Sequence, residues 1–96
     1  MNGRRIKVES GADPYLKLER AGDYYGPTTE FTNGIPAVFF LLPIEGGRHL
    51  AHIQSPPHTI TEEADGSLTI RASILSKGHE FGEWHGYLTA GVWSKC

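Results

Sequence analysis

Apolar and polar residues alternate along most of this chain, in short segments separated by turn-forming residues. Alternation with a period of two is typical of strands that have one buried and one exposed face. The clearest alternating segments are residues 6–9, 15–20, 48–54 and 68–74. Glycine, proline, asparagine and aspartate between them predict six to eight short strands. The pattern therefore indicates an all-β fold, either a small antiparallel sandwich or a partly open barrel.

One segment is apolar on both of its faces. Residues 37–42 read Ala-Val-Phe-Phe-Leu-Leu, which predicts a central strand covered on both sides. Residues 48–54 follow a glycine turn and are expected to form its partner strand. Strand parity then places Ala51 and Ile53 on one face, and Leu50 and His52 on the other.

The first third of the chain has the least regular pattern. Residues 15–20 alternate and are expected to form a strand with Leu16 and Leu18 on one face, with a short helix within residues 11–26 as the alternative. Residues 21–36 are dense in turn formers and are expected to form a loop. This loop carries Tyr24, Tyr25 and Phe31, and its aromatic rings either pin it to the core or form a contact surface. Pinning is favoured, because long loose loops are uncommon in compact domains.

The hairpin around Asp65-Gly66 has two possible registers. A two-residue loop sets Ile60 opposite Arg71, whereas a three-residue loop with Gly66 left-handed sets Ile60 opposite Ile70. The second register matches apolar with apolar and is preferred. An inward-facing stripe is then expected on the second strand, formed by Leu68, Ile70, Ala72 and Ile74. Residues 76–83 are expected to form a polar loop.

The last thirteen residues predict a second hairpin, with its turn at Ala90-Gly91. A two-residue loop sets Thr89 opposite Val92 and Leu88 opposite Trp93. One face then carries Trp84, Leu88 and Trp93, and the other carries His85, Tyr87, Val92 and Cys96. The first face is expected to close the core, because large aromatic rings contribute most to burial. The predicted core comprises Phe40, Leu42, Ile70, Ile74, Leu88 and Trp93.

Length and composition narrow the class of protein. A chain of 96 residues is expected to form one domain around one modest core. A formal charge of −2 gives no basic surface of the kind that binds nucleic acid. The longest apolar run, residues 37–42, is far too short to span a bilayer, and no signal peptide pattern begins the chain. A single cysteine excludes an internal disulfide, which argues against a secreted, disulfide-bonded protein. Together with the short apolar run, this predicts a cytoplasmic protein without a membrane partner.

The sharpest cluster of chemically active side chains is His79, Glu80, Glu83 and His85. Its spacing differs from the HExxH of zinc proteases, and Gly82 argues against the helix that this motif needs. Neither a metal nor a cofactor is therefore predicted. Cys96 lies opposite His85 in the predicted register, but a terminal residue is usually too frayed for catalysis.

The hairpin carries a family resemblance. The pair Ser73-Ile74 and the run His85-Gly86-Tyr87-Leu88-Thr89-Ala90-Gly91-Val92-Trp93 resemble a family of short uncharacterised proteins of phages and prophages. The likeness covers residues 37–94 loosely and residues 84–93 well. Some members carry cysteines and a histidine after the first apolar strand; this chain has only His49 there. The resemblance implies a phage-type origin and supplies no enzymatic activity.

These observations favour a non-enzymatic protein-binding module, such as an inhibitor of a bacterial defence system, acting on a host or phage protein in the host cytoplasm. Its expected binding residues are His85, Tyr87, Tyr24 and Tyr25, because tyrosines dominate protein contacts. One alternative is a metal-binding domain or small metal-dependent hydrolase built on the His79 to His85 cluster. Another is a virion accessory protein that forms a homo-oligomer through exposed strand edges.

Overall fold

The chain folds as two packed β-sheets in a computed structural model that describes residues 1–79 and 82–96. Its elements, in chain order, are β1 (Arg4–Ile6), α1 (Pro14–Lys17), β2 (Asp23–Thr28), β3 (Ala37–Leu41), β4 (Leu50–Gln54), β5 (Thr59–Glu62), β6 (Leu68–His79), β7 (Gly82–Thr89) and β8 (Val92–Lys95). Strands β1–β4 form the N-terminal sheet and β5–β8 the C-terminal sheet, each in chain order. The prediction of an all-β sandwich is confirmed, and no closed barrel forms among the described strands.

The β5–β6 hairpin adopts the register that matches apolar with apolar. Ile60 pairs with Ile70, and Thr59 pairs with Arg71. Gly66 is left-handed, with a φ of 88°. The Asp65 carboxylate accepts a hydrogen bond of 3.0 Å from the Ser67 N–H and fixes the turn. The three-residue loop is therefore confirmed.

Strand β6 carries an irregularity that alternation did not predict. Ile70 pairs with Leu88 and Ile74 pairs with Gly86, so four steps along β6 match two steps along β7. The two extra residues bulge outwards and leave Ala72 exposed. The predicted inward position of Ala72 was wrong. Ile70 and Ile74 both stay buried because an even number of extra residues preserves the side-chain parity.

The predicted polar loop over residues 76–83 was also wrong. Strand β6 continues to His79, and β7 begins at Gly82. Ser76 pairs with Trp84, and Lys77 is exposed. A hairpin arm remains paired through its backbone even where its side chains are polar, so composition alone concealed this extension.

The N-terminal sheet contains a strand where a loop was expected. Strand β2 pairs with β3 through Tyr24–Phe40 and Tyr25–Phe39, and its register shifts between Tyr25 and Thr28. This shift accommodates Gly26, where a Cβ atom would lie 2.6 Å from the carbonyl oxygen of Ala37. β1 runs parallel to β2, whereas β3 and β4 continue the sheet with antiparallel pairing.

Residues 15–20 form no strand, and the helical alternative is confirmed. The Asp13 side chain accepts a hydrogen bond of 2.9 Å from the Tyr15 N–H, and Pro14 occupies the first turn of α1. Leu16 is 76% exposed and Leu18 is fully buried. The prediction that the two leucines share a face was therefore wrong.

The main core lies between the sheets. All six predicted core residues are buried there: Phe40, Leu42, Ile70, Ile74, Leu88 and Trp93. A smaller cluster on the outer face of the N-terminal sheet joins Leu18, Tyr25 and Leu41. Strand β3 contributes to both clusters, which confirms that it is a central strand covered on both sides.

The N-terminal residues connect the two sheets. Asn2 forms a bridge with Val92, the Gly3 N–H donates to the Gly91 carbonyl at 2.7 Å, and the Trp93 N–H donates to the Met1 carbonyl at 2.8 Å. The chain then enters β1 in the other sheet, so one edge of β8 is partly covered. None of the helices in the described ranges has the length and apolar character needed to cross a membrane.

Candidate functional site

The β7–β8 hairpin separates the large side chains of the C-terminal sheet onto two faces. Thr89 pairs with Val92, Leu88 with Trp93 and Tyr87 with Ser94. The predicted two-residue turn at Ala90-Gly91 is therefore confirmed, with both turn residues at positive φ. This is the geometry of a hairpin turn that matches strand twist.

The inward face is the aromatic centre of the core. The Trp93 ring lies edge-on to Trp84 at 5.7 Å and tilted against Phe40 at 5.0 Å. The Trp93 indole N–H donates a 2.8 Å hydrogen bond to the Gly22 carbonyl, so the ring also fastens the start of β2. Gly86 makes this packing possible, because a Cβ atom there would lie 2.2 Å from the Ser94 carbonyl oxygen.

The outward face, which we call the β7 surface, consists of Leu75, His85, Tyr87 and Val92. Tyr87 is 44% exposed and Leu75, paired with His85 across the ladder, is 50% exposed. Val92 is also exposed, and His85 is half-buried. Two aliphatic side chains, a phenol and an imidazole thus share one sheet face, as the predicted parity required.

Cys96 follows β8 and lies beside His85 of the β7 surface. The Cys96 N–H donates a 2.9 Å hydrogen bond to the His85 carbonyl, and the cysteine is exposed. This contact joins backbone to backbone. Within residues 1–79 and 82–96, no group of three or more histidine, cysteine, aspartate or glutamate side chains is placed to hold a metal ion.

Part of the predicted histidine and glutamate cluster falls outside this description. Glu80 lies outside the described residues, and the side chain of His79 is likewise not described. Of the remaining two members, Glu83 is exposed and His85 is half-buried, two positions apart on β7. These two side chains alone do not make a metal site, which normally needs three or four converging ligands.

Tyr24 and Tyr25 are not surface residues, and their predicted binding role was wrong. Each is only 1% exposed. The Tyr24 hydroxyl accepts a hydrogen bond of 3.4 Å from the Leu68 N–H, and burial raises the pKa of that phenol. The Tyr25 hydroxyl donates to the Glu9 carbonyl at 2.9 Å. Pairing in β2 buries both rings, which the sequence concealed because Gly26-Pro27 resembles a turn.

Sequence reasoning also missed a buried carboxylate. Asp23 is 1% exposed and accepts hydrogen bonds from Arg4 at 2.7 and 3.1 Å. The N–H groups of Glu19 and Arg20 donate to it at 3.0 and 2.9 Å. Burial by itself raises the pKa of Asp23, but the donors from Arg4, Arg20 and Glu19 more than offset it and leave the pKa below its usual value. This cluster is structural, since all of its donors come from the surrounding fold.

Two further surface features accompany the β7 surface. An open pocket of about 150 Å³ is lined by Met1, Pro43, Trp84, Trp93 and Lys95. It is smaller than the ~300–1,000 Å³ of typical small-molecule sites. The second feature is a group of partly exposed rings on the N-terminal sheet, where Phe39 stacks on His52 at 5.3 Å and meets Phe31 edge-on at 5.7 Å. One sign of this group was present in the sequence, because strand parity placed Leu50 and His52 together on the face of β4 that does not carry Ala51 and Ile53.

Comparison with known proteins adds no functional assignment. No protein-family model, no curated protein and no solved structure matches this chain.

Proposed function

We propose that this protein is a non-enzymatic protein-binding module that contacts its partner through the β7 surface. The observation that carries the proposal is the grouping of Leu75, Tyr87 and Val92, all between 44% and 50% exposed, around the half-buried His85 on one sheet face. Tyrosine and aliphatic side chains held on a rigid sheet lose little conformational entropy on binding. Tyrosine is among the residues that most often carry the binding energy at the centres of protein interfaces.

The sheet beneath this surface supports the proposal by fixing its shape. Leu88 and Trp93, on the opposite face of the same ladder, are almost fully buried. Tyr87 therefore projects from a strand whose neighbouring residues are anchored in the core. A preorganised surface of this kind loses less conformational entropy when it binds a partner.

The partner we propose is a protein of the bacterial host or of a phage, and inhibition of a bacterial defence system is one form that this binding takes. Support comes from the resemblance of residues 84–93 to short phage proteins and from the exposed Tyr87 of the β7 surface. A cytoplasmic site of action in the host fits the same reasoning.

Capture from a bacterial lysate tests the proposal. The tagged protein, Tyr87→Ala and Leu16→Ala are used in parallel, followed by mass spectrometry. Leu16 is the matched control, because it is an exposed apolar residue on α1, away from the β7 surface. The proposal predicts a protein retained by the original chain and by Leu16→Ala but lost with Tyr87→Ala. Equal capture by all three proteins would contradict it.

The metal hypothesis stands as the second candidate because Glu83 and His85 share a face of β7 beside His79 and Glu80 in the sequence. Elemental analysis of purified protein separates the two candidates. Stoichiometric zinc or iron that survives dialysis, and that is lost in His85→Ala, would favour the metal candidate. We expect the protein to stay folded after EDTA treatment.

A further inference from the structure

The four outer strand edges of the two sheets differ in how they are protected. Exposed edges present unpaired backbone groups, and proteins usually shield them with charges or cover them with other segments. β1 carries Arg4 and Arg5. β5 ends in Glu62, which binds the Arg5 guanidinium at 2.7 Å. β8 carries Lys95 and is partly covered by the bridge from Asn2.

Strand β4 carries none of these charges, and its outer side is covered only at one end, where the His58 N–H donates to the Gln54 carbonyl at 3.0 Å. Its sequence is Leu-Ala-His-Ile-Gln, without a lysine, arginine, aspartate or glutamate, and it is the last strand of the N-terminal sheet. Leu50 is 41% exposed, and His52 is exposed as well. Within the described residues no strand pairs with its outer side.

The hydrogen bonds to β3 show which backbone groups of β4 face outwards. The Leu42 N–H donates to the His49 carbonyl and the Ser55 N–H donates to the Pro36 carbonyl, both at 2.9 Å. Because bonding alternates along an antiparallel ladder, the backbone groups of Leu50, His52 and Gln54 point away from β3. Gln54 already uses its carbonyl to accept from the His58 N–H at 3.0 Å.

We propose that β4 pairs antiparallel with β4 of a second copy of this chain, about a two-fold axis at His52. His52 is the middle residue of the strand, so this register overlaps all of Leu50–Gln54. It sets His52 opposite the same residue of the second copy and Leu50 opposite its Gln54. The outward-facing groups then meet each other, as an isologous interface requires. Pro56 and Pro57 end the ladder just beyond the overlap.

Side chains on the outer face of the N-terminal sheet extend this interface. His52 stacks on Phe39 within each copy at 5.3 Å. In the paired sheet the two imidazoles become cross-strand neighbours, which places a continuous row of four rings across the axis. Leu50 gains the aliphatic part of Gln54 of the second copy as its neighbour. Cross-strand pairs of this kind stabilise sheets. The dimer would be separate from the β7 surface, because that surface belongs to the other sheet.

Sedimentation velocity from micromolar to millimolar concentration tests the association. A lysine at position 52 would face its own copy across the axis, so His52→Lys should weaken dimerisation at least about tenfold. Thr61→Lys is the matched control, since Thr61 is an exposed residue on the edge strand β5, and it should change the dissociation constant less than about twofold. Circular dichroism confirms that both variants fold. A chain that stays monomeric throughout, or equal effects of the two substitutions, would overturn the proposal.

Cross-linking tests the register. Directly opposed residues of a bonded antiparallel pair lie about 5.5 Å apart between Cα atoms, which is within the range of a disulfide. His52→Cys in a Cys96→Ser background should therefore form a covalent dimer on mild oxidation, and Thr61→Cys in the same background should not. Equal cross-linking of both variants, or none at position 52, would show that β4 does not pair in this way.

Discussion

The two sheets reach their registers by different means. The C-terminal sheet is a run of consecutive antiparallel strands, β5 to β8. Its turns at Gly66 and at Ala90-Gly91 set the pairing of Ile60 with Ile70 and of Leu88 with Trp93. Each of these contacts joins residues close together in sequence. Local turn chemistry therefore determines the registers of these two hairpins.

The beginning of the N-terminal sheet depends instead on polar contacts between distant residues. β1 and β2 run parallel, and α1 lies between them in the chain. Arg4 binds the buried Asp23, and Arg5 donates to the carbonyls of Gly26 at 3.2 Å and Gly66 at 2.8 Å. Arg48 donates to the Tyr15 carbonyl at 2.8 Å and lies over its ring. Arginine side chains thus supply hydrogen-bond donors to these backbone carbonyl groups.

Trp93→Ala should produce the largest loss of stability, because it removes contacts of both sheets at once. The ring packs on Trp84 and Phe40, and its N–H binds the Gly22 carbonyl. Truncation of a buried tryptophan costs about 3–5 kcal/mol, enough to unfold a marginal domain. Denaturant unfolding measures the loss, with the exposed neighbour Val92→Ala as control. A change below about 1 kcal/mol would mean that the sheets are not joined through this ring.

Gly86→Ala tests the C-terminal sheet by itself. The added methyl would meet the Ser94 carbonyl at 2.2 Å and the Trp84 ring at 2.6 Å. Relief requires β7 and β8 to move apart, so we expect a loss of about 3 kcal/mol. Gly66→Ala is the comparison, because its site is open and only its positive φ is strained. It should cost about 1 kcal/mol. A Gly86→Ala variant with an unchanged midpoint would contradict the close packing of this hairpin.

Asp23→Asn tests the polar contacts of the N-terminal sheet. The amide keeps one acceptor oxygen but loses the charge that binds Arg4, whose side chain is 41% exposed. Because solvent partly screens this pair, we expect a loss of about 2 kcal/mol rather than the larger loss of a fully buried ion pair. Glu19→Gln is the control, since Glu19 also binds Arg4 but is 72% exposed. The two variants should differ clearly in thermal midpoint; equal midpoints would show that burial of Asp23 adds nothing.

Acid should weaken the same contact. The pKa of Asp23 lies below its usual value of 3.8 in the fold. The folded state therefore binds fewer protons than the unfolded state, and the contribution is complete above pH 3.8. It is lost as the pH falls through the lower pKa of the folded protein. The acid limb of the stability curve should be shallower in Asp23→Asn, and identical limbs would exclude Asp23 as an acid-sensitive contact.

The contrast between strands positioned by turns and strands positioned by distant contacts explains which parts of the fold could be predicted from the sequence. The registers of the β5–β6 and β7–β8 hairpins follow from alternation and turn residues, as Gly66 and Gly91 illustrate. Strand β2 was hidden because Gly26-Pro27 resembles a loop, although pairing with β3 extends it. The burial of Tyr24 and Tyr25 follows from that pairing and was hidden with it. The bulge at Ala72 depends on the fit between β6 and β7, which one strand's pattern does not encode.

His85→Ala and Tyr87→Ala should have the smallest effects on stability. Both side chains lie on the outward face of β7, while Leu88 on the inward face is fully buried. Surface changes usually alter the free energy of unfolding by less than about 1 kcal/mol. If the β7 surface binds a partner, Tyr87→Ala should weaken that binding while its thermal midpoint stays near that of Leu16→Ala. A large loss of stability would instead place Tyr87 in the packing of the C-terminal sheet, and the outward face would then serve the fold rather than recognition.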